Sequence, residues 1–154
     1  LGLLQNPSTQ EPGADTHFNG ARAIAAFDVV GGSIYTLGQK VPVENALGGP
    51  ATRDSHWRGS VFVEELMIGF ITSSELPLSR VTAASLADLG YSVNEGAADP
   101  YTLPSAGAYE DGIEGATPLG DDVLRVPVTV VDGRGRTVRV IEPADPVSIP
   151  FQGP

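Results

Sequence analysis

Apolar residues recur at helical spacing in an early segment of the chain. Over residues 21–30 they fall at i, i+4 and i+7, which places Ala23, Phe27 and Val30 on one face of a helix. Asn19 is the predicted N-cap, and the glycine pair that begins at Gly31 would end the helix. The pattern therefore predicts a short amphipathic helix in this segment.

A second helix is predicted over residues 80–89. Ser79 precedes it as an N-cap and Gly90 follows it as a terminator. Within and just before this segment, helical spacing places one mostly apolar set of residues on the same side: Leu78, Thr82, Leu86 and Leu89. Both ends of this helix are thus marked in the sequence.

The clearest strand signal lies near the end of the chain. β-Branched residues fill residues 124–131 and 137–141, and a short glycine-containing turn separates the two arms, which predicts a β-hairpin. Pro127 would confine the first arm to an edge or irregular position. Residues 1–20 and 33–55 are rich in glycine and proline without sustained alternation, so loops with short extended pieces are expected there.

Composition narrows the class of protein. The 154 residues are 41% hydrophobic and 18% charged, which suits one folded domain with a core. A net charge of −10 without a basic stripe argues against nucleic-acid binding. With no cysteine, the chain can form neither disulfides nor thiolate metal sites. No apolar run approaches the 18 or so residues of a membrane-spanning helix, and no signal peptide is visible.

Few residues offer candidate chemistry on their own. His56 stands beside Trp57, the only tryptophan, and a lone histidine in that setting is more often structural than a ligand. Met67, the only methionine, is more often a core filler than part of a site. With His17 as the only other histidine, the chain alone cannot supply three histidines to zinc. The pair that begins at Glu64 is expected to be solvated surface in so acidic a chain.

The order of these features changes the interpretation. His56-Trp57 is followed by Glu65-Leu66-Met67, and Asp88-Leu89-Gly90-Tyr91 closes the second predicted helix. This order resembles the back half of the catalytic domain of leishmanolysin-like zinc metallopeptidases, a branch of the metzincins. In that family the third zinc histidine opens such a segment, a methionine eleven residues later forms the Met-turn beneath the metal, and a helix ending in D-L-G-[FY] follows. The resemblance covers residues 1–104.

The resemblance assigns roles to three residues of this chain. It implies that His56 is a zinc ligand, that Met67 is the Met-turn residue, and that Glu65 is structural rather than a catalytic base. The family's other two histidines stand in an H-E-x-x-H helix, whose glutamate is the general base. No H-E-x-x-H occurs here. We therefore expect no catalytic residue in this chain, a general base upstream of Leu1, and no activity of the chain alone.

The same resemblance implies a fold and a setting. The expected fold class is α+β: a loop-rich C-terminal subdomain of a metzincin catalytic domain over residues 1–104, then a loop and β-rich extension with the hairpin over residues 105–154. The complete protein is expected to be a Zn²⁺-dependent metalloendopeptidase that cleaves protein or peptide substrates through metal-activated water. The absence of cysteine departs from the disulfide-rich protozoan members and suggests a secreted, bacterial-type relative, outside the cell or at its surface.

Two alternatives stay open at this point. The chain could be a non-enzymatic, extracellular, β-rich binding or adhesion module. The segment from His56 to Met67 would then be core and loop, and Asp111, Glu114 and the pair that begins at Asp121 a candidate calcium surface. It could also be a degenerate pseudo-peptidase. Residues that precede Leu1 would discriminate among the three, and neither substrate preference nor oligomeric state can be predicted.

Overall fold

The structure is a computed structural model that describes part of the chain, namely residues 2–8, 14–49, 52–73, 75–104, 116–119 and 128–141. The chain divides into two compact units, Leu1–Gly120 and Asp121–Pro154. In the described part of the chain, the first unit contains the helices and most of the strands, and the second contains a pair of strands. The predicted division at residue 104 stays a prediction.

The regular elements are short. In chain order they are β1 (Leu4–Gln5), β2 (His17–Phe18), α1 (Ala21–Val29), α2 (Ser33–Thr36), β3 (Val41–Pro42), α3 (Gly59–Phe62), β4 (Phe70–Ile71), α4 (Arg80–Asp88), β5 (Thr117–Pro118), β6 (Val128–Val131) and β7 (Thr137–Ile141). A 3₁₀ turn at Glu95–Ala97 follows α4. This mixture confirms the α+β class; its assignment to a metzincin subdomain and an extension stays a prediction.

The described strands form small antiparallel sheets. In the first unit, β2 lies between β1 and β3, and β4 pairs with β5. In the second unit, β6 pairs with β7 over the residues in which the sequence predicts a hairpin, with an irregularity between Val130 and Val131. Pro127 lies outside the described residues. Among the described residues, no helix combines the length and apolarity needed to cross a membrane.

Aromatic rings organise the core of the first unit. The ring of Phe62 stacks on Trp57 at 5.5 Å and on Phe27 at 5.4 Å, measured between ring centroids. Phe18 meets Trp57 edge-on at 6.0 Å. Buried aromatic pairs add about 0.5–1.5 kcal/mol beyond their burial. Trp57 is therefore a core residue, and the segment that carries His56 is anchored to the core by its neighbour.

Helix α1 confirms the first helix prediction but begins differently. Ala23 and Phe27 are buried, as predicted, and the N-cap is Gly20 rather than Asn19. The cap comes from another helix, because the carboxylate of Asp88 in α4 accepts hydrogen bonds from the amides of Arg22 (3.1 Å) and Ala23 (2.9 Å). A Cβ on Gly20 would lie 2.3 Å from this carboxylate, so glycine permits the close approach.

Helix α4 confirms both of its predicted ends. The Ser79 hydroxyl accepts a hydrogen bond from the Thr82 amide, and Gly90 takes up a left-handed φ of +96° after the helix. The leucines predicted to lie on one side of α4 do not form its contact with the core. Leu78, Leu86 and Leu89 are 36–41% exposed, and the core side of α4 is built from smaller residues such as Val81 and Ala84.

Two loop predictions are incomplete. Residues 1–20 include β1 and β2, and residues 33–55 include the helical turn α2 as well as β3. Elements of two to four residues are too short to produce a recognisable hydrophobic period, so their formation depends on neighbouring segments.

Candidate functional site

The backbone brings His56 and Met67 together although they are eleven positions apart. Trp57 forms an antiparallel bridge with Val43 on one side and a parallel bridge with Ile68 on the other. The amide of Trp57 donates to the carbonyl of Met67 at 2.9 Å. The segment that carries the histidine therefore lies directly beside the turn that carries the methionine.

The imidazole of His56 has a defined hydrogen-bond geometry. Its Nδ1 atom lies 3.2 Å from the carbonyl oxygen of Thr52 and 3.0 Å from the hydroxyl of Ser55. The Ser55 hydroxyl can either donate to Nδ1 or accept from it, whereas the Thr52 carbonyl can only accept, so the contact with Thr52 is a hydrogen bond in the tautomer with a proton on Nδ1. A neutral ring in this tautomer keeps its lone pair on Nε2. This is the arrangement in which a histidine ligates a metal through one nitrogen while its other nitrogen donates to the protein.

Met67 is not a core filler. Its side chain is 38% exposed and lines a cavity of about 590 Å³ in the first unit, which His56 also lines. The remaining walls are largely apolar, and the predicted mostly apolar side of α4 forms one of them. The residues of that side are Leu78, Thr82, Leu86 and Leu89. The leucines that face away from the core therefore face this cavity.

Glu65 holds in place the turn that carries Met67 into the cavity wall. It is fully buried, and its carboxylate accepts hydrogen bonds from the amides of Met67 (2.5 Å) and Ser79 (2.9 Å) and from the hydroxyl of Thr82 (2.7 Å). Thr82 in turn accepts from the indole nitrogen of Trp57 at 2.7 Å. The expectation of solvated surface is thus wrong for Glu65, although it holds for the exposed Glu64. The structural role expected for Glu65 fits these contacts.

Glu44 fixes the histidine side, and sequence reasoning missed it. Only 2% of this residue is exposed, yet it carries a carboxylate between a buried valine and a polar loop. Its Oε1 atom accepts from the amides of residues 45, 46 and 47, and its Oε2 atom from the amide of Gly59, all at 3.0–3.1 Å. An acid that follows Val41 and Val43 in a short extended segment is the signal that could have found it.

The other candidates lie elsewhere or outside the described residues. His17 is in β2, where its Nδ1 atom lies 2.7 Å from the carbonyl of Asp15, and it does not line the cavity. Asp111, Glu114 and the pair that begins at Asp121 fall outside the described residues. Within the described ranges, no three histidine, cysteine or acidic side chains are grouped as a metal site would require.

Comparison with protein-family models, with curated proteins and with solved structures gives no match for this chain. The resemblance to leishmanolysin-like peptidases therefore rests on the motifs quoted above. Any functional conclusion has to be argued from the geometry of the cavity and from those motifs.

Proposed function

We propose that this chain forms the C-terminal part of the catalytic domain of a secreted zinc metalloendopeptidase. In this proposal, His56 is the third zinc ligand and Met67 is the Met-turn residue beneath the metal. The other ligands and the general base belong to an H-E-x-x-H helix outside this chain. Zinc bound there would lower the pKa of a water molecule and polarise the carbonyl of a peptide substrate.

The observation that carries the proposal is that His56 and Met67 line the same cavity. In the tautomer in which Nδ1 donates to the Thr52 carbonyl, the lone pair of the neutral ring is on Nε2, as in a histidine that ligates a metal. The position of Met67 in the same cavity, one backbone hydrogen bond from Trp57, supports the pairing of the two residues.

The walls of the cavity support the same proposal. Leu78, Leu86 and Leu89, in α4 and next to its ends, are each more than a third exposed, and together they present an apolar surface to the cavity. An apolar surface of this kind is typical of a site where another segment packs. A helix that brings two further histidines to His56 would cover these leucines and would keep the floor of the site dry.

The test is the zinc content of the complete protein with His56→Ala and, as a matched control, His17→Ala. Both changes remove a half-buried histidine, but only His56 lines the cavity. We expect zinc binding and peptidase activity to be lost in the first variant and retained in the second. Unchanged zinc stoichiometry in His56→Ala would refute the ligand assignment.

The chain by itself provides a second check. It should bind zinc no more tightly than its His56→Ala variant and should cleave no peptide, because one histidine cannot hold the metal. Stoichiometric zinc in the isolated chain would contradict this expectation. A complete protein without zinc or activity would instead favour the binding module or the pseudo-peptidase.

A further inference from the structure

The cavity that His56 and Met67 line is large enough for a small organic molecule. Its volume of about 590 Å³ lies within the range of about 300–1,000 Å³ that is typical of small-molecule sites in proteins. Leu78, Leu86 and Leu89 line it and are 36–41% exposed. A molecule that covers these leucines removes apolar surface from water, which is favourable. The body of a ligand for this cavity is therefore expected to be apolar.

The polar side chains that α4 contributes to the cavity already have hydrogen-bond partners within the protein. The hydroxyl of Thr82 accepts from the indole nitrogen of Trp57 and donates to the carboxylate of Glu65, both at 2.7 Å. The hydroxyl of Ser85 donates to the carbonyl of Thr82 at 2.8 Å. We therefore expect the polar group of a ligand to lie near residues 54–56, which supply the other polar side chains of the described lining.

Asp54 gives this part of the cavity a negative charge. It is the only acidic residue among the described residues that line the cavity, and no lysine or arginine is among them. Its carboxylate is held in place, because Oδ1 accepts from the amide of Ser8 at 2.7 Å and its own amide donates to the carbonyl of Glu44 at 2.9 Å. The chain as a whole carries a net charge of −10. The cavity is thus complementary to a cation and unfavourable for an anion.

We propose that this cavity binds a small cationic amphiphile, an organic ammonium ion whose apolar body lies against Leu78, Leu86 and Leu89 and whose charge lies near Asp54. The inference goes beyond the proposed function, since it requires neither zinc nor a residue outside the chain. A helix that carried the H-E-x-x-H motif would cover the same leucines and would compete with such a ligand. The experiment therefore uses the chain alone.

The test is a titration of the chain with three probes that share an octyl body: octylammonium, octanol and octanoate, each below its critical micelle concentration. Trp57 is the only tryptophan and lines the cavity, so its fluorescence reports occupancy. We expect a saturable change, with the lowest Kd for octylammonium and the highest for octanoate. No saturable change with octylammonium, or an equal Kd for octanoate, would overturn the inference.

The variant Asp54→Asn isolates the charge. Asp54 has a φ of +68°, a conformation that asparagine also adopts, and the amide oxygen of asparagine can still accept from Ser8. We expect the Kd of octylammonium to rise about 2–5-fold, the range for a solvent-accessible ion pair, and the Kd of octanol to stay the same. The exposed Glu64, which does not line the cavity, provides the control variant Glu64→Gln, with no change in either Kd. Equal Kd values for octylammonium in Asp54→Asn and wild type would refute the position of the ammonium group.

A second pair of variants tests the apolar wall. Leu86 and Leu47 are 39% and 40% exposed, but only Leu86 lines the cavity. Leu86→Ser should raise the Kd of octylammonium and of octanol by about 3-fold or more, because the octyl body loses apolar contact, and Leu47→Ser should leave both unchanged. The same Kd values in Leu86→Ser as in wild type would place the octyl body elsewhere and would overturn the inference.

Discussion

Two adjacent acids should respond in opposite ways to the same substitution. Glu64 is exposed, whereas Glu65 is fully buried and accepts two backbone amides and one hydroxyl. We expect Glu65→Gln to destabilise the protein strongly and Glu64→Gln to have almost no effect. The pair is a matched test because the chemical change and the position in the chain are nearly identical.

The expected magnitude follows from the arrangement of donors around Glu65. Its Oε1 atom faces Ser79 and Thr82, and its Oε2 atom faces the amide of Met67. The NH₂ group of a glutamine must point at one side or the other, which leaves at least one buried donor without an acceptor. Each such donor costs about 1–3 kcal/mol. With the NH₂ group itself also unsatisfied, the loss is about 3 kcal/mol, whereas exposed substitutions stay within about 0.5 kcal/mol.

Urea unfolding followed by the fluorescence of Trp57 measures this difference, because Trp57 is the only tryptophan and its indole joins the same network through Thr82. For a chain of this size, 3 kcal/mol corresponds to a fall in Tm of about 6–12 °C. Equal midpoints for the Glu64 and Glu65 variants would refute the reasoning, since they would mean that the carboxylate of Glu65 is not required by its three donors.

The remaining predictions concern charges away from the cavity. Asp88→Ala should destabilise the protein by about 1–2 kcal/mol in urea unfolding, because α1 loses its cap from α4, while the exposed Glu75→Ala should stay within about 0.5 kcal/mol. Burial alone raises the pKa of Asp15, but the hydrogen bond and charge of Lys40, together with two neighbouring basic side chains, hold it below its ordinary value of 3.8. An aspartate whose pKa is lowered by folding stabilises the fold at pH values above its unfolded-state pKa of 3.8. This stabilisation is lost as the pH falls through the lower, folded-state pKa. Lys40→Met should therefore lower the free energy of unfolding by about 0.5 kcal/mol or less at neutral pH, since Asp15 is half exposed. The difference in stability from wild type should vanish at acidic pH below 3.8. A difference that grows on acidification would contradict this prediction.

The ends of the helices show where local reasoning succeeds and where it fails. Ser79 and Gly90 mark α4 correctly because each acts on residues no more than three positions away. The sequence predicts Asn19 as the cap of α1, but the acceptor is Asp88, more than sixty positions along the chain. When another helix supplies the cap, the sequence around the capped helix contains no signal for it.

At the candidate site, the burial of Glu65 and Glu44 likewise depends on contacts that the local sequence does not show. Nothing in the local pattern separates Glu65 from Glu64, because both are acids in a strongly acidic chain. Only packing against the start of α4 places Glu65 beneath Met67 with three donors around it. Glu44 is buried for a similar reason, since the loop folds back so that Gly59 meets its second oxygen.

The sequence by itself predicted the α+β class, the two main helices and the two segments that form β6 and β7. These depend on hydrophobic period and turn chemistry, which act over a few residues, whereas His56 and Met67 were singled out by the family resemblance. The tertiary structure decided that the two residues share one cavity, that Nδ1 of His56 lies 3.2 Å from the Thr52 carbonyl oxygen, and that Leu78, Leu86 and Leu89 line that cavity. Those properties depend on contacts between segments that are distant in the chain, and no local pattern encodes them.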